Sequence, residues 1–114
     1  MIVLVTCSGI SNTGKLTTQA ACSLMQKRPG RFLWTHVKKS TASLEEECRG
    51  GEQVIVIDGC SDCCAGKKLA GTTIGPHIHI IATDLGIEKN GMADVQYQEI
   101  ERVIAAVQGA LSGE

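Results

Sequence analysis

"MIVLVTCSGISNTGKLTT", residues 1–18, decides how the rest of the chain is read. Its first six residues form an unbroken apolar, β-branched run, without the polar alternation of a strand that keeps one side in water. That is the pattern of a strand buried on both faces of a parallel sheet. A glycine-rich turn follows. Beyond it, Leu16, Ala20, Ala21, Leu24 and Met25 recur on one side of a helix expected over Lys15 to Lys27.

The same alternation runs outward from this stretch. "RPGR" stops the first helix, and "RFLWTHV", residues 31–37, reads as a second strand. "STASLEEECRGG", residues 40–51, reads as a short helix, with Ser43 and Glu46 as a capping box and Gly50-Gly51 as its end. "QVIVID", residues 53–58, is a third strand, apolar almost throughout. "GCSDCCAGKKLAG" turns into another short helix expected to begin near Asp62, with Lys67 and Lys68 near the end that favours cations. "HIHIIAT" is a fourth strand. A last helix, from about Asp94 to Leu111, places Ile100, Val103, Ile104, Val107 and Leu111 at core spacing.

Four strand–helix alternations predict an α/β fold in one domain over residues 1–114. The expected form is a small doubly wound, Rossmann- or flavodoxin-like sandwich. Its four-stranded parallel sheet should run in the order 2-1-3-4, with helices on both faces. In such sheets ligands bind at the carboxyl ends of the strands, where crossovers leave in opposite directions. Here that crevice lies between the first and third strands.

Composition narrows the function. The formal charge is −1, from 11 basic and 12 acidic residues, and no basic stripe is present. With a single Phe, Trp and Tyr there is no stacking platform, so nucleic acid is not an expected partner. No apolar segment is long enough for a membrane span or signal peptide, and the expected setting is the cytoplasm. A chain of this length can build a core without disulfides. Its six cysteines, in a reducing compartment, read as metal ligands or redox thiols.

Gly9 to Lys15 fits the glycine, four residues, glycine-lysine core of a phosphate-binding loop, and "VIVID" resembles the strand that supports magnesium in nucleotide hydrolases. Leu16, however, stands where a magnesium-binding hydroxyl is needed. The simpler reading is a tight strand-to-helix turn beside Cys7, with Lys15 solvated or paired to an anion. A small nucleotide- or anion-binding module using this turn stays open as a third reading.

The sulfurs carry more. Cys7 is the first residue past strand one. Cys60 and Cys64 follow strand three, four residues apart, and on a helix would face one side. Three such thiols can converge on one centre and suit zinc. The amides of a helix beginning near Asp62 would favour their ionised form. Asp58 could accept hydrogen bonds from loop amides or support a ligand. Cys60-Ser61-Asp62-Cys63 is also the Cys-x-x-Cys of redox proteins, so a thiol oxidoreductase using Cys60 with Cys63 or Cys64 is the alternative. His77 and His79 share one face of the fourth strand. They are read as polar strand-entry residues, at the end of the sheet away from the cysteines. Cys22 is read as a spectator.

"CSGISNTGKL", "IDGCSDCCAGKKL" and "TDLGIEK", in that order and spacing, resemble the DGC-domain family, named for an Asp-Gly-Cys signature that is here Asp58-Gly59-Cys60. The resemblance implies that Cys7, Cys60 and Cys64 are the family's shared thiols and that their role is zinc binding, with no reaction assigned. The family carries a further cysteine near the end of the second strand, where this chain has "LWTHV". His36 is the expected substitute, with Cys63 and Cys48 as other candidates for a fourth ligand. A water in that place would leave the site open to a small-molecule or thiol substrate.

Overall fold

The sheet consists of β1 (Ile2–Thr6), β2 (Phe32–His36), β3 (Gln53–Asp58) and β4 (Ile78–Ile81). All are parallel, in the order β2-β1-β3-β4. This is the expected topology, and it sets β1 beside β3. The structure is a computed structural model describing residues 1–112; Gly113 and Glu114, the last residues of the expected domain, lie outside the described residues.

Four helices cover the sheet: α1 (Asn12–Lys27), α2 (Thr41–Arg49), α3 (Cys64–Ala70) and α4 (Tyr97–Ser112), with a short 3₁₀ turn at Ala82–Leu85 after β4. Because strand side chains alternate, β1 and β3 each feed two cores. Ile2, Leu4, Ile55 and Ile57 pack with Leu16, Leu24, Val103 and Val107 from α1 and α4. Val3, Val5, Val54 and Val56 pack on the other side with Leu44 of α2 and Ala65 and Leu69 of α3. Burying each such aliphatic side chain contributes about 1.5–3 kcal/mol. This double burial is why both strands are apolar without alternation. Among the described residues no helix is long and apolar enough to cross a membrane.

Helix starts differ from expectation. α1 opens three residues before Lys15, because the Ser11 hydroxyl accepts the Gly14 N–H at 3.2 Å and caps the helix there. α2 is capped by Ser40, which accepts the Ser43 N–H at 3.2 Å, so the expected Ser43–Glu46 box is displaced by one turn. Several hydroxyls compete in this stretch, and the cap falls where the backbone is still extended. α3 begins at Cys64 instead of near Asp62. The segment before it closes a turn of its own, with the Cys63 N–H donating to the Cys60 carbonyl at 3.1 Å and Cys63 held at φ +49°. α4 begins at Tyr97, three residues after Asp94.

Candidate metal centre at the carboxyl-end rim

β3 ends in a charged side chain that is completely buried. Asp58 is 0% exposed, and a lone carboxylate there would be costly. Its partners explain why it is tolerated. Oδ1 accepts the Ala65 N–H at 2.8 Å, and Oδ2 accepts the Gly66 N–H at 3.1 Å. Asp58 thereby takes up the open amides of the first turn of α3. Its third partner is His79, whose Nε2 lies 2.8 Å from Oδ2.

His79 reaches the rim because β4 joins the sheet late. Its first residue, Ile78, pairs with Ile55, so His79 sits beside Val56 and Ile81 beside Asp58. Both Asp58 and His79 point to the α2–α3 side. The reading of His79 as a strand-entry residue remote from the cysteines is therefore corrected: the start of β4 is already midway along β3. Gly66 makes room for the ring, since a Cβ there would stand 2.8 Å from His79 Cε1. His77 differs. Its Nδ1 accepts the Val54 N–H at 3.1 Å, at the opposite end of β3.

Cys63 completes the group. One ligand atom each from Asp58, Cys63 and His79 lie within 4.8 Å of one another, the one such cluster of metal-binding side chains among the described residues. Burial pushes the Cys63 thiol up from its ordinary range, and the Asp58 charge adds to this against the pull of Lys67. That is opposite in sign to the helix-start effect expected from sequence. The amides of α3 that would have favoured a thiolate, those of Ala65 and Gly66, are turned to Asp58 instead.

The other expected thiols do not join this group. Cys7 Sγ accepts the Gly59 N–H at 3.4 Å and lies 3.8 Å from the Thr17 hydroxyl, so the loops after β1 and β3 do meet at a sulfur. Cys60 Sγ faces elsewhere, 3.7 Å from Asp62 Oδ2 and 3.6 Å from Lys89 Nζ. Cys64 is exposed at the first position of α3. Cys60 and Cys64 do not share a helical turn, because Cys60 precedes the helix and belongs to the turn that Cys63 closes.

His36 and Cys48 do not face this group. His36 is paired in register with Thr6, on the α1–α4 side of the sheet, where its ring lies against Trp34 at 5.8 Å and its Nδ1 accepts the Lys38 N–H. Cys7, one residue past Thr6, points the other way. Alternation thus removes His36 as the substitute ligand. Cys48 is buried in the last turn of α2, in the apolar cluster with Val3 and Val54 near the amino ends of the strands. It packs and does not reach the rim. Cys22, in α1, is likewise outside the group.

The glycines of the phosphate-loop-like segment have a packing role. A Cβ on Gly14 would stand 2.6 Å from Gly9 backbone atoms, and one on Gly59 would stand 2.7 Å from the Thr13 backbone. The two rim loops touch through bare backbone. Ser8, at φ +49°, is fixed by its neighbours: its N–H donates to Thr17 Oγ1, and its hydroxyl bonds Thr6 at 2.5 Å and accepts from Thr18 at 2.7 Å. The Trp34 indole N–H extends this chain by donating to Thr6 Oγ1 at 2.9 Å.

A parallel sheet whose rim gathers an Asp-Gly-Cys turn, further thiols and a histidine agrees with the sequence comparison. The chain belongs to the DGC domain family, whose model matches residues 3–107. It is similar to the anaerobic and virulence modulator AnvM of Pseudomonas aeruginosa, with 26% identity over 107 residues, covering 93% of this chain and 82% of that protein. No solved structure matches it significantly.

Proposed function

We propose that the protein binds zinc at the carboxyl-end rim, with Cys63 and His79 as ligands and with one or two of the thiols Cys7, Cys60 and Cys64 filling the remaining positions of a tetrahedral site. The observation that carries this reading is the convergence of Asp58, Cys63 and His79 within 4.8 Å. The donor set fits the ion: thiolate sulfur and imidazole nitrogen are the ligands zinc prefers, whereas magnesium or calcium would call for oxygen. Asp58 has both oxygens engaged by amides and by His79. Its part is to orient the imidazole, the usual carboxylate support of a metal-binding histidine. Cys60 and Cys64 reach the centre by movement of the turn that Cys63 closes. Bound there, zinc completes a closed structural site or, with one position open, acts as a Lewis acid toward a small-molecule or thiol substrate.

Metal analysis of protein purified without added zinc tests the reading. The expected result is about one zinc per chain, lost in Cys63→Ser and His79→Ala and reduced in Cys60→Ser. Protein that carries no zinc and takes up none on titration would overturn it.

A further inference from the structure

Cys60, outside the Asp58–Cys63–His79 group, is served by a separate set of contacts. Its half-buried sulfur lies 3.6 Å from the Lys89 amine and 3.7 Å from the Asp62 carboxylate. The Lys89 side chain is exposed and its amine also pairs with Asp62 at 3.8 Å, but the backbone that carries it is anchored. Asn12, only 5% exposed, grips the backbone on both sides of it: Nδ2 donates to the Glu88 carbonyl at 2.8 Å and Oδ1 accepts the Asn90 N–H at 2.7 Å. The Asn12 N–H adds a bond to the Gly91 carbonyl at 2.8 Å. A buried amide at the first position of α1 thus fixes the base of the side chain that brings an amine to Cys60.

The second observation is the turn itself. The Cys63 N–H bonds the Cys60 carbonyl at 3.1 Å, and a β-turn holds its end Cα atoms within about 7 Å. A disulfide spans Cα separations of about 4.4–6.8 Å. The backbone of the turn thus holds the two cysteines at a separation that a disulfide can span, and turning the Cys60 side chain away from Asp62 and Lys89 would bring the sulfurs together.

We infer that, in the metal-free protein, Cys60 and Cys63 form an exchange dithiol that reduces small disulfides, Cys60 attacking and Cys63 resolving, with Lys89 held at the attacking sulfur by Asn12. In the first step Cys60–SH and R–S–S–R give Cys60–S–S–R and RSH. In the second, Cys63–SH displaces the remaining group, giving the Cys60–Cys63 disulfide and a second RSH. Two electrons pass from the protein thiols to the substrate disulfide, and both thiol protons end on the released thiols. Lys89 and Asn12 are positioning residues.

The full chain, stripped of metal with a chelator, is mixed with the aromatic disulfide dithiobis-nitrobenzoate. A fast phase should release two chromophores per chain and leave a Cys60–Cys63 bond in the peptide map. Cys63→Ser should release one and leave the aromatic adduct on Cys60. Cys60→Ser should lose the fast phase. Lys89→Met should slow it about fivefold, the scale of one nearby charge in a wet site, and Asn12→Ala should do likewise while its circular dichroism stays native. If Asn12→Ala unfolds, Lys89→Met alone decides the positioning claim. A fast phase that survives Cys60→Ser, a bond mapped to Cys64, or a rate indifferent to Lys89→Met overturns the inference. Zinc is measured before stripping, so failure of the metal reading is scored separately.

Discussion

Asp58 and His79 meet at 2.8 Å although the strand register sets them two residues apart, one on β3 and one on β4. The carboxylate is therefore shared between the first turn of α3 and the neighbouring strand. Replacing it with alanine leaves two amides and an imidazole without their acceptor. Asp58→Ala should cost about 2–4 kcal/mol in urea unfolding. Asp58→Asn keeps one carbonyl oxygen and should cost less. Equal losses in the two variants would mean that the charge, and not the cap, is what matters.

Two glycines should respond differently. Gly66→Ala meets the edge of the His79 ring at 2.8 Å and Asp58 Oδ2 at 3.4 Å, both side-chain atoms, and the ring can swing away. It should lower zinc retention while changing the urea midpoint little. Gly14→Ala meets Gly9 backbone at 2.6 Å, which cannot swing, and should destabilise by about 1–3 kcal/mol.

Burial pushes the Cys48 thiol above its ordinary value of 9.0, and Glu47 adds to the shift. Above that value the unfolded chain ionises first and binds fewer protons than the folded one, so stability falls as pH rises. The urea midpoint should be insensitive to this group at neutral pH and decline from roughly pH 9 upward. Cys48→Ala should flatten the decline in part, leaving the contributions of Cys63 and Tyr97, which are raised in the same direction.

His36→Ala should leave zinc content unchanged, because the ring lies on the α1–α4 side beside Trp34. Lys15→Ala should do the same. A nucleotide held by the native protein and released by Lys15→Ala would reinstate the phosphate-loop reading.

The topology could be read from sequence because β1 and β3 are apolar on both faces, which only a covered parallel sheet requires. The meeting of the loops at Cys7 and Gly59 followed from that order. Two things were hidden. One was register: β4 is four residues long and enters opposite Ile55, so His79 lies near the rim, not at the far end. The other was the turn from Cys60 to Cys63, where a left-handed cysteine delays α3 by two residues and separates Cys60 from Cys64. Helical spacing, applied to residues 60–64, described a helix that has not yet begun. The exclusion of His36, by contrast, needed only the pairing of β2 with β1, since side chains one residue apart point to opposite faces.

The hydroxyl chain from Trp34 through Thr6 to Ser8 ties the sole indole of the chain to the residues on either side of Cys7. Its fluorescence is thus a built-in optical reporter of the rim. Emission should shift or quench when zinc or an oxidant alters the loop after β1, and Thr6→Val should mute that signal while leaving the event itself intact.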